Sequence, residues 1–127
     1  MERVIGLGGI FFKAQDPAAL AAWYRDTLGV PLDEGQTYGV FASGSDDGPE
    51  QTVWSLFPSD SAYFGSPHAR CMVNYRVANL DRMLDQLRAA GADVDDRVET
   101  YNYGRFGWAT DPEGNRFELW EPIGPGF

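Results

Sequence analysis

The sequence predicts an α+β fold made of two βαβββ halves. Strand-like and helix-like stretches come in the same order twice along the 127 residues. Landmarks of the first pass recur at a near-constant offset: Asp16 to Asn79 is 63 residues, Gly29 to Gly91 is 62, and Pro58 to Pro122 is 64. The composition, 43% apolar and 23% charged, is that of an ordinary folded chain. A long repeat occurring twice points to one supersecondary unit duplicated, with residues 1–58 as the first module, 59–69 as a linker and 70–127 as the second.

Each element has a local reason. Residues 7–14 are an apolar run heavy in glycine and phenylalanine and read as a strand. Asp16-Pro17 then offers a carboxylate N-cap with proline at the first helical position. Leu20, Trp23, Tyr24 and Leu28 form a helical stripe that Gly29 stops. Strand-like stretches follow at 31–32, 37–42 and 51–57, with a polar, glycine-rich turn over 43–50. Residues 58–69 show no periodicity.

The second pass begins with a strand over 70–77. Asn79 is its N-cap, Leu80, Met83, Leu84 and Leu87 are the helical stripe, and Gly91 is the stop. Strands are expected at 94–99, 104–110 and 116–121. The last two are joined by 111–115, where proline and glycine sit as a tight turn requires.

Charge narrows the partners. Ten Lys and Arg against 19 Asp and Glu give a formal charge of −9, a field that repels phosphate backbones and anionic lipid. Neither nucleic acid nor a membrane is therefore expected as a partner, and a cationic ligand would be attracted. The single cysteine, Cys71, excludes an internal disulfide. No apolar stretch approaches the roughly 20 residues that span a bilayer, and the first residues do not read as a signal peptide, so a cytoplasmic protein is expected. Gly6-Leu-Gly-Gly9 lacks the third glycine and the helix of a dinucleotide loop. One histidine in a loop supports no Ser-His-Asp arrangement.

The stretch Asp111-Pro-Glu-Gly-Asn-Arg-Phe-Glu-Leu-Trp-Glu-Pro122, with Tyr75-Arg-Val-Ala-Asn-Leu-Asp81 before the second helix, resembles the vicinal oxygen chelate superfamily. That superfamily includes glyoxalase I, bleomycin-resistance proteins and extradiol dioxygenases. The resemblance covers nearly the whole chain. It implies two βαβββ modules forming curved mixed sheets around a cavity, and a homodimer. It also implies a divalent metal bound from the first and last strands of each half. Carried over residue by residue, those positions are Gly9, Trp54, Met72 and Glu118. Zinc, iron or manganese generally need three or more His, Cys, Asp or Glu ligands, and only Glu118 qualifies. The expectation is no metal and no cofactor. His68 reads as an exposed loop histidine, since a four-residue slip to make it a ligand would break the repeat offset.

Strand alternation then nominates the cavity face. Arg70, Met72, Asn74 and Arg76 share it in the second half, as do Gly9, Phe11 and Lys13 in the first. Trp54 and Leu56 are expected there too, with Arg116, Glu118 and Trp120 from the last strand. Cys71 falls on the opposite, core face. Tyr103, Arg105 and Trp108 lie in an aromatic, glycine-rich segment that borders either the cavity or a dimer seam. Ligand-binding residues are thus expected at Phe11, Lys13, Trp54, Asn74, Arg76, Tyr103, Trp108, Glu118 and Trp120: aromatic walls with a few charges, as small-molecule sites have. The same aromatics would equally fill a barrel interior.

Three functions stay open. The first is a metal-independent binding protein of the bleomycin-resistance kind, taking a cationic or aromatic small molecule. The second is a glyoxalase-like lyase or isomerase, with an unorthodox metal site or with Glu118 as general base if burial raises its pKa. The third is a dimerising accessory domain with a vestigial cavity.

Overall fold

The computed structural model describes residues 1–43 and 50–124. Its elements run β1 (Val4–Ala14), α1 (Pro17–Trp23), a π-helical turn (Tyr24–Leu28), β2 (Tyr38–Ser43), β3 (Glu50–Pro58), β4 (Cys71–Val77), α2 (Leu80–Ala89), β5 (Asp93–Val94), β6 (Glu99–Tyr101), β7 (Gly104–Thr110) and β8 (Arg116–Pro122). The fold is α+β, and the two passes share one pairing scheme. In each, the first strand runs parallel to the last, β1 with β3 and β4 with β8, and the last runs antiparallel to the strand before it. Residues 31–32, expected as a strand, give one bridge, Leu32 to Gly39. Most of the turn expected over 43–50 lies outside the described residues. No helix among the described residues is long and apolar enough to cross a membrane.

The chain divides into two compact units, one of Met1–Gly8 with Met72–Phe127 and the other of Gly9–Cys71. Strand β1 contributes to both. In the Gly9–Cys71 unit the core joins Ala14, Ala21, Val30, Leu32 and Leu56, with Phe12, Leu20, Tyr24 and Trp54 packed against them. In the other unit Val77, Leu80, Met83, Leu84 and Leu119 form the core between α2 and the sheet.

The caps fall where the sequence places them. Ala19 N donates to Asp16 Oδ1 at 3.1 Å and Arg82 N to Asn79 Oδ1 at 3.0 Å, each satisfying an otherwise unpaired first-turn amide. Gly29 and Gly91 close the two helical segments at φ of 78° and 83°, a conformation glycine adopts without a Cβ penalty.

Three expectations are corrected. The first helix does not run regularly to Leu28: it widens into a π turn from Tyr24, which shifts the angular phase of its stripe. Leu28 is therefore 65% exposed; ahead of the turn Trp23 is 52% exposed and Ala21 takes the buried position. Cys71 is exposed rather than in the core, because it opens β4 before the strand has packed on α2. Residues 59–69 are not a bare linker. Phe64 is 1% exposed, and it packs edge-on to Phe57 with ring centres 5.2 Å apart.

Leu80→Ala, at a position of 0% exposure, is expected to lower the unfolding free energy by about 2–5 kcal/mol. Leu28→Ala is expected to stay within about 0.5 kcal/mol, and urea denaturation of the two variants measures the contrast. A second outcome concerns the β7–β8 turn. The Asn115 side-chain amide and turn N–H groups hold the Asp111 carboxyl below its ordinary value. A lowered pKa gives stability that is present at neutral pH and lost as pH falls through the folded-state value. Asp111→Ala should lower the melting temperature at pH 7, and the gap to wild type should close in acid.

Candidate functional site

Strand register builds one polar and aromatic face in the unit that holds β4, β7 and β8. Asn74 lies opposite Glu118 and Arg76 opposite Trp120, while β7 places Trp108 beside Glu118 and Phe106 beside Trp120. Tyr75, Val77 and Leu119 have the other parity and pack with α2.

Glu118 is the centre of this face at 2% exposure. Its Oε1 accepts from Asn74 Nδ2 at 2.6 Å and its Oε2 from Trp108 Nε1 at 2.9 Å. Each carboxylate oxygen is thus held by a donor of the protein, which is what permits a carboxylate to be buried. The Arg97 and Arg116 guanidinium carbons lie 4.9 and 5.6 Å from the Trp108 ring centre. Arg116 also donates to Asp95 Oδ2, and the Asp95 carboxyl is held below its ordinary value by the Arg97 N–H first and by Arg116 as well.

The neighbouring aromatics are locked in turn. Trp120 Nε1 donates to the Tyr103 carbonyl at 3.2 Å, and the Phe106 ring lies 4° from parallel with Trp120. Glycine at position 8 makes room for this packing: a Cβ there would collide with Asn74 Oδ1 and sit 2.8 Å from the Trp120 ring.

Asn74, Arg76, Trp108, Glu118 and Trp120 therefore share the face the sequence nominates. Tyr103 borders it, half-buried and stacked on Tyr101. Phe11 and Lys13 belong to the Gly9–Cys71 unit, where Phe11 packs on Phe57 and Lys13 lies over the Phe64 ring. Trp54 is corrected. The β1–β3 register sets Trp54 opposite Ile10 and Leu56 opposite Phe12, so both turn toward α1. Trp54 meets Phe12 and Tyr24 at ring distances of 5.2 and 5.1 Å. Arg105 is corrected as well: it reaches α2 and forms a two-armed pair with Asp81 at 2.9 and 3.1 Å.

Register also corrects the repeat equivalence. Phe11 pairs with Ser55 as Asn74 pairs with Glu118. The counterpart of Glu118 is therefore Ser55, 63 residues earlier, and not Trp54. With Ser55 in that place, Glu118 remains the one strong hard-metal ligand among the positions the resemblance supplied. Among the described residues no three His, Cys, Asp or Glu gather as a metal site. The donor set does not fit zinc, iron or manganese.

Sequence reasoning missed Phe64, Ser66 and the cleft lined by Lys13, Ser59 and residues 67–70, because one phenylalanine in a serine- and glycine-rich stretch has no period to detect.

The model of a glyoxalase-like domain matches residues 9–120. Among solved structures, methylmalonyl-CoA epimerase from Mycobacterium tuberculosis is similar at 20% identity, with 95% of this chain and 90% of that chain covered and a TM-score of 0.63. A variant of the Streptomyces coelicolor methylmalonyl-CoA epimerase, bound to 2-nitronate-propionyl-CoA, is 20% identical over 93% of this chain and 97% of that one, with a TM-score of 0.65. A glyoxalase/bleomycin resistance protein/dioxygenase superfamily member from Vibrio splendidus 12B01 is 12% identical over 94% and 98%, at 0.56. No curated protein matches the chain. At these identities the structures speak for the fold, which is that of the glyoxalase/bleomycin-resistance/dioxygenase superfamily. The family model covers most of the sequence, and the chain belongs to the glyoxalase-like domain family.

Proposed function

We propose that this protein binds a small molecule without a metal, using the face that carries Glu118, Trp108 and Trp120. The observation that supports this reading best is the state of Glu118. It is buried, and each of its oxygens accepts from a protein donor. A carboxylate held in this way is a fixed hydrogen-bond acceptor. The surrounding rings of Trp108, Trp120 and Phe106 are apolar and themselves buried, an environment that suits an aromatic ligand, and the −9 charge favours a cationic one. A homodimer belongs to the same proposal, and the exposed Val4, Ile5 and Leu7 of β1 support it.

A second reading keeps Glu118 as the general base of a lyase or isomerase. It is favoured by the burial of that carboxylate among rings, and methylmalonyl-CoA epimerases share the fold. A general base needs a lone pair facing its substrate. An acceptor for a bound ligand needs the same, so we rank binding first on the apolar, aromatic surroundings of Glu118.

Elemental analysis of protein purified without chelator is expected to find well under one metal per chain. Titration with planar aromatic compounds, followed by tryptophan fluorescence, should saturate equally with and without EDTA, and Glu118→Ala should weaken it. One transition metal per chain that is lost in Glu118→Ala would overturn the metal-free reading. Turnover with a pH profile that Glu118→Gln abolishes would move the enzyme reading ahead.

A further inference from the structure

The Gly9–Cys71 unit repeats half of the Glu118 arrangement and omits the other half. At the 63-residue offset Lys13 corresponds to Arg76, Phe57 to Trp120 and Ser55 to Glu118. The registers agree, with Lys13 opposite Phe57 as Arg76 is opposite Trp120. Both cations are buried, Lys13 at 8% exposure and Arg76 at 7%. The buried carboxylate has no counterpart, because Ser55 stands in its place.

Lys13 is left without a counter-charge among the described residues. Its Nζ reaches one acceptor, the Ser66 carbonyl at 3.4 Å, and lies 5.3 Å from the centre of the Phe64 ring. An ammonium carries three donors. A charge taken out of water is costly unless it is paired and hydrogen-bonded. Here the donors outnumber the acceptors that the described residues supply.

Lys13 borders a cleft of about 220 Å³ that is also lined by Gln15, Ser59, His68 and Arg70. No carboxylate lines it. The nearby Asp16 carboxylate is committed to capping α1. The Arg70 and His68 side chains are exposed and make no ion pair or hydrogen bond among the described residues. Three basic residues thus line one hollow in a chain where Asp and Glu outnumber Lys and Arg 19 to 10. The volume is below that of a whole drug-sized ligand and suits one ionised group with a few carbons.

The geometry points to an anion site: the cleft takes the carboxylate or phosphate group of a small molecule. Lys13 is the buried counter-charge and Arg70 the planar, two-pronged outer clamp. His68, Gln15 and Ser59 supply further polar contacts. This site goes beyond the metal-free reading and does not depend on it, since Glu118 and its partners belong to the other unit.

Amide NMR of the full chain tests it, with inorganic phosphate titrated at constant ionic strength, acetate in parallel and chloride as the control. Saturable shifts are expected at residues 13–15 and 66–70 with phosphate or with acetate. The anion that saturates at the lower concentration assigns the class, phosphate ester or carboxylate. Arg70→Ala, a change at an exposed side chain, should weaken binding about tenfold, the loss of one charge-assisted contact. Arg25→Ala, which removes an arginine that does not line the cleft, should leave it unchanged. Lys13→Met should abolish saturation while keeping the wild-type circular dichroism spectrum, and if that variant fails to fold, Arg70→Ala decides. Saturation by neither anion, equal shifts with chloride, or unweakened binding in Arg70→Ala overturns the site.

Discussion

The burial of the Glu118 carboxylate is the constraint from which the rest of its unit follows. Removing an ionised group from water costs several kcal/mol even after the protein relaxes, so the fold must surround it with donors aimed at its lone pairs. Asn74 and Trp108 do this from the strands on either side of β8. Their positions are set by register, and a slip by one residue would send both donors to the α2 side. Trp108 is fixed in turn between its bond to Glu118 and the two guanidinium groups over its ring. The small residue at Gly8 is a consequence too, since Asn74 can hold its amide toward Glu118 only if no side chain fills the space behind it. Removing one donor would leave a buried charge short of a partner, which is worse than replacing the whole group by apolar side chains of similar volume.

The parts of this architecture that were legible in the sequence are those governed by local rules. Asp16-Pro17 and Asn79 announce helix starts because their side chains cap the residue three positions on, a relation contained in a few residues. The 111–115 turn is legible for the same reason, with the Asp111 carboxylate gathering the amides of Glu113 and Asn115. The repeat offset then carries the fold across the chain. Asn74, Arg76, Glu118 and Trp120 were legible as one face because the opposite parity of β4 and β8 holds Val73, Tyr75, Val77, Phe117 and Leu119, which mark the core side.

Where both parities of a strand are apolar, alternation loses its power. Strand β3 offers Trp54 and Leu56 on one side and Val53 and Phe57 on the other, and only its pairing with β1 decides which pair meets α1. Trp54 was misplaced for that reason, and the error passed into the repeat alignment by one residue. The π turn at Tyr24–Leu28 is a different kind of miss. An extra residue in a helical turn leaves the spacing of apolar residues looking regular while it changes which of them are buried. Arg105 shows a third limit, because its direction depends on Asp81, which lies 24 residues away in sequence.

The two units also show how a duplicated frame separates scaffold from chemistry. Parallel pairing of first and last strands, a capped helix and a buried cation on the first strand recur in both. The residue pairs two positions before those cations on the same strands differ, Asn74 with Glu118 in one unit and Phe11 with Ser55 in the other. Backbone hydrogen bonds set the first group of features, and these persist through almost any side-chain change that keeps the apolar pattern. The second group is free to diverge as long as each buried charge finds a compensating partner. In one unit that partner belongs to the chain itself. In the other the compensation among the described residues is incomplete, and a net charge of −9 does not repair it, because charges separated by more than a Debye length of about 8 Å are largely screened. The local sign at Lys13 and Arg70, rather than the sign of the whole molecule, therefore sets what that cleft attracts.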